Sequence, residues 1–206
     1  MTNETRIITG VILAGGLAKR MGGGDKCLLP LGGKTLLQRS IERAQPQVSE
    51  LILSANGNSL RFARSRLPVI ADLFEHFPGP LAGIHAALTF MSERDPDNEW
   101  LASFACDTPF FPRDMVQQLL AAAGDAQLVV ARSNNRVHPI FALWHASMLG
   151  RIEQVLRSGH SPRLQEWIED FNPVYVDFSA TDYDPFFNIN TPQDLYSAEA
   201  QLVHVQ

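Results

Sequence analysis

The chain has 206 residues, of which 45% are hydrophobic and 19% charged, and its net charge is −5. That length suits one domain with a core large enough to need no disulfide or metal staple, and the mix excludes a wholly disordered chain. The acidic balance disfavours a generic nucleic-acid binder, Cys27 and Cys106 without CxxC pairing argue against a disulfide framework or a cysteine zinc site, and no leader-like segment or apolar run approaches the roughly 20 residues of a membrane span, so a cytoplasmic protein is expected.

The first predicted strand, Arg6 to Ala14, is short, β-branched and apolar on both faces, as a buried parallel strand should be. A glycine-rich loop follows, through about Pro30. Thr35 to Ala44 reads as a helix with Leu36, Leu37 and Ile41 on one side. Strands are expected at Leu51–Ala55 and Pro68–Ala71, a helix at Leu81–Met91, and a fourth strand at Trp100–Cys106. Pro112 is expected to open a helix running to about Ala123. Strands at Gln127–Ala131 and Pro139–Trp144, helices near Ser147–Arg157 and Arg163–Glu169, and a strand at Val174–Phe178 come next. A last helix runs from Thr191, its N-cap, to Leu202, with Pro192 as its first residue. With no repeat, low-complexity tract or linker, residues 1–206 read as one α/β domain, layered α/β/α, with a mostly parallel sheet. Such sheets bind ligands beyond the carboxyl ends of their strands, which selects the loops after Ala14, Ala71 and Cys106.

Residues 13–26 read Leu-Ala-Gly-Gly-Leu-Ala-Lys-Arg-Met-Gly-Gly-Gly-Asp-Lys. Glycines let backbone N–H groups approach an anion, and Lys19, Arg20 and Lys26 are opposed only by Asp25. A phosphate ligand is the reading this favours; a solvated surface loop is the alternative. Two familiar phosphate loops fail. Gly15-Gly16-Leu17 breaks the Gly-x-Gly-x-x-Gly spacing, and the first glycine of a Walker A loop ending at Gly33-Lys34-Thr35 falls on Leu28.

The same residues resemble the signature of nucleotidyltransferases, and the version with Ala-Gly-Gly and Asp-Lys is similar to the molybdenum cofactor guanylyltransferases, the MobA family. The likeness continues through Leu28–Leu37, Gly79–Ile84, Cys106–Phe110, His138–Trp144 and Asn188–Pro192. It implies a Rossmann-like nucleotidyltransferase fold and transfer of GMP from GTP to the phosphate of molybdopterin, with release of pyrophosphate. It also implies Mg²⁺ as cofactor, and transient contacts with molybdenum cofactor maturation and molybdoenzyme proteins. On this reading Lys26 and Arg20 neutralise the phosphates and Asp107 is the magnesium ligand; these three are the catalytic set. Leu13, Ala14, Gly15, Gly16, Asn56, Asp72, Gly79 and Gly83 complete the GTP site. His138, Asn188 and Asn190 are assigned to the acceptor, with either asparagine able to serve the metal site instead. Each of these residues also has an ordinary structural role open to it: turn chemistry for Asn56 and Asp72, an N-cap for Asp107, and stitching of the last helix for the asparagines. Rival readings are a molybdopterin cytidylyltransferase, whose relatives typically carry Leu-Ala-Ala-Gly where Leu13-Ala14-Gly15-Gly16 stands here, a sugar-phosphate nucleotidyltransferase, and a non-catalytic GTP-binding module for cofactor delivery.

Overall fold

A computed structural model describes residues 7–15, 24–74, 79–159, 162–180 and 183–202. In chain order its strands and α-helices are β1 (Ile8–Leu13), β2 (Pro30–Leu31), β3 (Lys34–Thr35), α1 (Leu36–Ala44), β4 (Glu50–Ser54), β5 (Val69–Ile70), α2 (Pro80–Arg94), β6 (Trp100–Ala105), α3 (Met115–Ala122), β7 (Leu128–Ser133), β8 (Arg136–His145), α4 (Leu149–Arg157), α5 (Leu164–Glu169), β9 (Val174–Asp177) and α6 (Pro192–Gln201). Seven strands form one sheet in the order β5-β4-β1-β6-β8-β7-β9. Only β8 runs against its neighbours; the other pairings are parallel.

Period-two alternation sends successive strand residues into different cores. Ile12, Leu53, Phe104 and Val129 face one layer, where Leu37 of α1 and Met115, Val116 and Leu119 of α3 cover them. Val11, Ile52, Leu101 and Val130 face the other, against Leu81, Ile84 and Leu88 of α2, Ile152 of α4 and Ile168 of α5. Both faces of β1 are therefore buried, which explains why apolar residues stand on both of them. The expected α/β/α layering follows from these two cores.

The register of the sheet determines where a ligand can sit. Leu13 pairs with Ser54 on one side and with Ala105 on the other, and Ser54 pairs with Ile70. Four parallel strands thus end in one row. Two residues beyond each end stand Gly15, Asn56, Asp72 and Asp107.

Some boundaries differ from expectation for local reasons. Thr35 caps α1 rather than opening it: its side chain accepts from Gln38 N, while the Gln38 side chain accepts from Thr35 N. Helix α3 starts at Met115, because Pro112–Asp114 form a turn closed by Met115 N donating to Pro112 O. His145 accepts from Ser147 N, so a 3₁₀ turn at Ala146–Met148 precedes α4. The β2–β3 hairpin falls within a stretch read as loop and helix start; it turns on Gly32 and Gly33, both at positive φ, the region a two-residue hairpin requires. Among the described residues, no helix is long and apolar enough to cross a membrane.

Candidate active site

A cavity of about 460 Å³ opens at the row of strand ends. Leu13, Gly15, Lys26, Asn56, Asp72, Gly79, Gly83 and Asp107 all line it. Ala14 sits just behind, fully buried, with its N–H donating to Ser54 O at 2.9 Å. Gly16 and Arg20 lie outside the described residues.

At one side of the cavity Lys26 is buried, with 7% of its surface exposed. It is carried on a short 3₁₀ turn, Lys26–Leu28, that follows Asp25. Its Nζ donates to Asp107 Oδ2 at 2.6 Å, to Asn190 Oδ1 at 2.6 Å and to Asn188 Oδ1 at 3.3 Å. A buried ammonium needs such partners, since an unpaired charge in a protein interior is very costly. The two asparagines converge because Ile189 between them is fully buried and donates its N–H to Asp107 O at 2.9 Å. Asn190 is held in turn by Asp194, which also completes the cap of α6 with Thr191. Both asparagine side chains thus turn their amide oxygens to one atom, Lys26 Nζ.

On the opposite side Asn56 and Asp72 bind each other reciprocally. Asn56 Nδ2 donates to Asp72 Oδ2 at 2.7 Å, and Asp72 N donates to Asn56 Oδ1 at 2.9 Å. Partial burial raises the pKa of the Asp72 carboxyl, and the bond from Asn56 opposes that rise. Gly79 caps α2 at φ 127°, a conformation that L side chains rarely adopt. Gly83, in the first turns of α2, packs so closely that an added Cβ would lie 2.6 Å from Ser54 Oγ and 3.0 Å from Leu13 Cδ2. Both glycines therefore let backbone form the cavity wall.

Sequence reasoning passed over Ser54, Arg61 and the contact between the two cysteines. Arg61 Nη2 donates to Asn56 O at 2.6 Å and Nη1 to Asn58 O at 2.9 Å, while Nε pairs with Asp25 Oδ2 at 2.8 Å. It therefore joins the loop after β4 to the residue preceding Lys26. Cys27 and Cys106 are both buried and flank the Lys26–Asp107 pair. The Cys106 thiol pKa is pushed up by its contact with Cys27 and by burial, which agrees with an unreactive core residue.

His138 does not line the cavity. It is buried against Phe186, with ring centroids 4.5 Å apart, and its Nε2 lies 2.8 Å from Ser133 Oγ, which also donates to Asp184 Oδ1. Burial lowers its pKa to about 4, Asp184 opposing and Arg136 assisting.

Residues 10–173 match the family model described as the MobA-like NTP transferase domain. Over 201 residues the chain is 43% identical to the molybdenum cofactor guanylyltransferase of Nitrobacter hamburgensis, covering 97% of this chain and 96% of that one. The chain belongs to the molybdenum cofactor guanylyltransferase family. A further member, from Mesorhizobium japonicum, is 44% identical over 198 residues, 94% of this chain and 95% of its own. The solved molybdopterin-guanine dinucleotide biosynthesis protein A of Archaeoglobus fulgidus superposes with a TM-score of 0.75 at 24% identity, covering 95% of this chain and 99% of that one. The 4-diphosphocytidyl-2C-methyl-D-erythritol synthase of Anaerococcus prevotii superposes at 0.74 with 13% identity over 96% of both chains. These two likenesses show the nucleotidyltransferase fold. Within this guanylyltransferase family member, the cavity at the strand ends gathers the Gly15 loop, Lys26 and Asp107 with the Asn56–Asp72 pair.

Proposed function

We propose that the chain transfers GMP from GTP to the phosphate of molybdopterin, releasing pyrophosphate and forming the guanine dinucleotide form of the molybdenum cofactor. The observation that carries this reading is the Lys26–Asp107 pair, 2.6 Å apart, in the cavity that the Asn56–Asp72 pair also lines, in a chain of this family. We also read the chain as one domain, supported by a single seven-stranded sheet that draws on residues 8–177.

In this scheme Asn56 and Asp72 receive the base, and the glycine loop at Leu13–Gly16 approaches the phosphates. A phosphate monoester is already a nucleophile near neutral pH, so no general base is required. An oxygen of the acceptor phosphate forms a bond to the α-phosphorus of GTP, and the bond to the bridging oxygen of pyrophosphate breaks. Lys26 supplies fixed positive charge to the developing negative charge, and Arg20 holds the leaving phosphates with its planar fork. Positioning and charge neutralisation account for the rate.

Mg²⁺ fits the donor set. Asp107 Oδ2 and the Oδ1 atoms of Asn188 and Asn190 all point at one buried ammonium, so the site presents hard oxygen donors to a cation. Among the described residues no group of three or more His, Cys, Asp or Glu side chains forms a metal cage. Magnesium commonly uses one or two carboxylates and completes its shell with water and substrate phosphates. Asp107 would hold the ion, with an asparagine beside it. When bound, the ion neutralises phosphate charge.

The test is pyrophosphate release with purified molybdopterin and each of GTP, ATP, CTP and UTP. Release with GTP alone, abolished by omitting magnesium, is the expected result. Release with CTP instead would overturn the guanine assignment. GTP binding without release would support the delivery-module reading.

A further inference from the structure

A second cleft, of about 450 Å³, lies between the β2–β3 hairpin, α1 and the segment Pro109–Arg113. It belongs to none of the machinery described above. We propose that this cleft is a binding site for a small, multiply charged oxyanion of the phosphate class.

Charge is the first argument. The chain carries a net −5, yet this cleft is lined by four cations, Lys34, Arg39, Arg43 and Arg113, against one carboxylate, Glu42. Glu42 is already taken, since Lys34 Nζ lies 2.6 Å from its Oε1. The three guanidiniums are left with no carboxylate partner among the described residues.

Geometry is the second. Arg39 donates from Nε to Leu31 O at 2.8 Å and from Nη2 to Gly32 O at 2.9 Å. Arg43 Nη1 donates to Phe111 O at 2.9 Å. Backbone carbonyls thus aim these side chains without neutralising them. Each guanidinium has five N–H donors, so each keeps several unspent. Gly32 makes room for this: an added Cβ would lie 2.9 Å from Arg39 Nη2, at a φ of +53°.

Gathering like charges costs free energy, and the cost is visible at Arg43. Its pKa is lowered by burial first and then by Arg113 and Arg39, with Tyr183 opposing. An oxyanion in the cleft would offset that repulsion and satisfy the free forks, a pairing for which planar guanidinium is well suited. A small ligand is favoured over a flat protein contact because the site is concave and within the usual size of small-molecule pockets. The inference stands apart from the proposed transfer reaction, since it concerns binding alone.

Phenylglyoxal labelling of arginines, mapped by peptide mass spectrometry, tests it with inorganic pyrophosphate as the probe. Labelling of Arg39 and Arg43 should slow about fivefold as pyrophosphate saturates the cleft, with exposed Arg64 unaffected and sodium chloride of equal ionic strength without effect. The protection should persist in Lys26→Ala, where the first cavity has lost its ammonium. No protection at millimolar pyrophosphate overturns the proposal. So does protection that disappears in Lys26→Ala while its circular dichroism spectrum stays that of the folded protein, because the anion would then be acting from the first cavity, or protection matched by sodium chloride, because the effect would then be screening.

Discussion

Lys26 Nζ and Asp107 Oδ2 lie 2.6 Å apart although 81 positions separate them in the chain. Removing either charge leaves the other poorly compensated in a largely buried setting. Lys26→Met should therefore destabilise the protein by about 3 kcal/mol in denaturant titration. Asp107→Asn should reduce kcat by roughly 10²–10³-fold. The double variant Lys26→Met/Asp107→Asn should recover much of the stability and none of the activity. Recovery of both would assign the pair a structural role alone.

Asp72 separates binding from stability. Its ionised carboxylate is held in a partly buried place that raises its pKa, so at neutral pH the folded state bears a desolvation cost. A raised carboxyl pKa contributes stability fully below the unfolded value of 3.8 and loses it as pH rises through the folded value. Asp72→Asn should accordingly raise Tm at pH 7, with the advantage shrinking as pH falls through the folded pKa. The same change should raise the KM for GTP by about tenfold, the equivalent of ~1.4 kcal/mol, with little effect on kcat. Melting curves over pH together with steady-state kinetics check both halves.

The sheet explains how much of this was legible in the sequence. Leu13, Ser54, Ile70 and Ala105 end four parallel strands in one row, and apolar runs marked each of those ends. The residues two places on, Gly15, Asn56, Asp72 and Asp107, were accessible to the rule that ligands sit beyond strand ends. The β2–β3 hairpin was less visible because its strands are two residues long and carry no alternation; Gly32-Gly33 was its only signal. Arg61 gave none, since its partners Asn56, Asn58 and Asp25 come from two loops that only the folded chain brings together. His138 stood out as a lone histidine, but packing against Phe186 and Ser133, which sequence spacing does not reveal, turns it inward.

Arg61 should act as a positioning residue. It spans the Asn56 loop and Asp25, next to Lys26, through both arms of its guanidinium and Nε. Arg61→Ala should raise the KM for GTP by about tenfold while changing kcat much less. Arg61→Lys should restore little, because an ammonium cannot make three divergent contacts from one plane. Equal loss of kcat in both variants would point to direct contact with the reacting phosphates instead.

His138 predicts acid sensitivity. Its folded pKa of about 4 lies below the ordinary 6.5, so the unfolded chain takes up the proton first as pH falls. Stability is therefore lost progressively between about pH 6.5 and about pH 4. His138→Phe keeps a ring against Phe186 and leaves Ser133 bonded to Asp184, and it should flatten the fall in Tm across that window. An unchanged pH profile would assign the loss to other groups.

Gly83 tests whether the cavity wall depends on the absence of a side chain. In Gly83→Ala the new methyl would meet Ser54 Oγ at 2.6 Å and Leu13 Cδ2 at 3.0 Å, and neither neighbour is at the free end of a long chain. Ser54 is buried and lies in the row of strand ends, so relief requires Ser54 Oγ to turn away in a packed setting or β4 and α2 to part. The expected cost is about 1–3 kcal/mol, typical of an overpacked site, with a rise in the KM for GTP as the wall shifts. Ser54→Ala removes the nearest atom and leaves Ser54 Cβ's position at 3.5 Å, an ordinary contact. The double variant Gly83→Ala/Ser54→Ala should thus be more stable than the sum of the single changes implies, with a coupling of about 1 kcal/mol in a double-mutant cycle. Strict additivity would mean that Leu13, rather than Ser54, sets the limit on that wall.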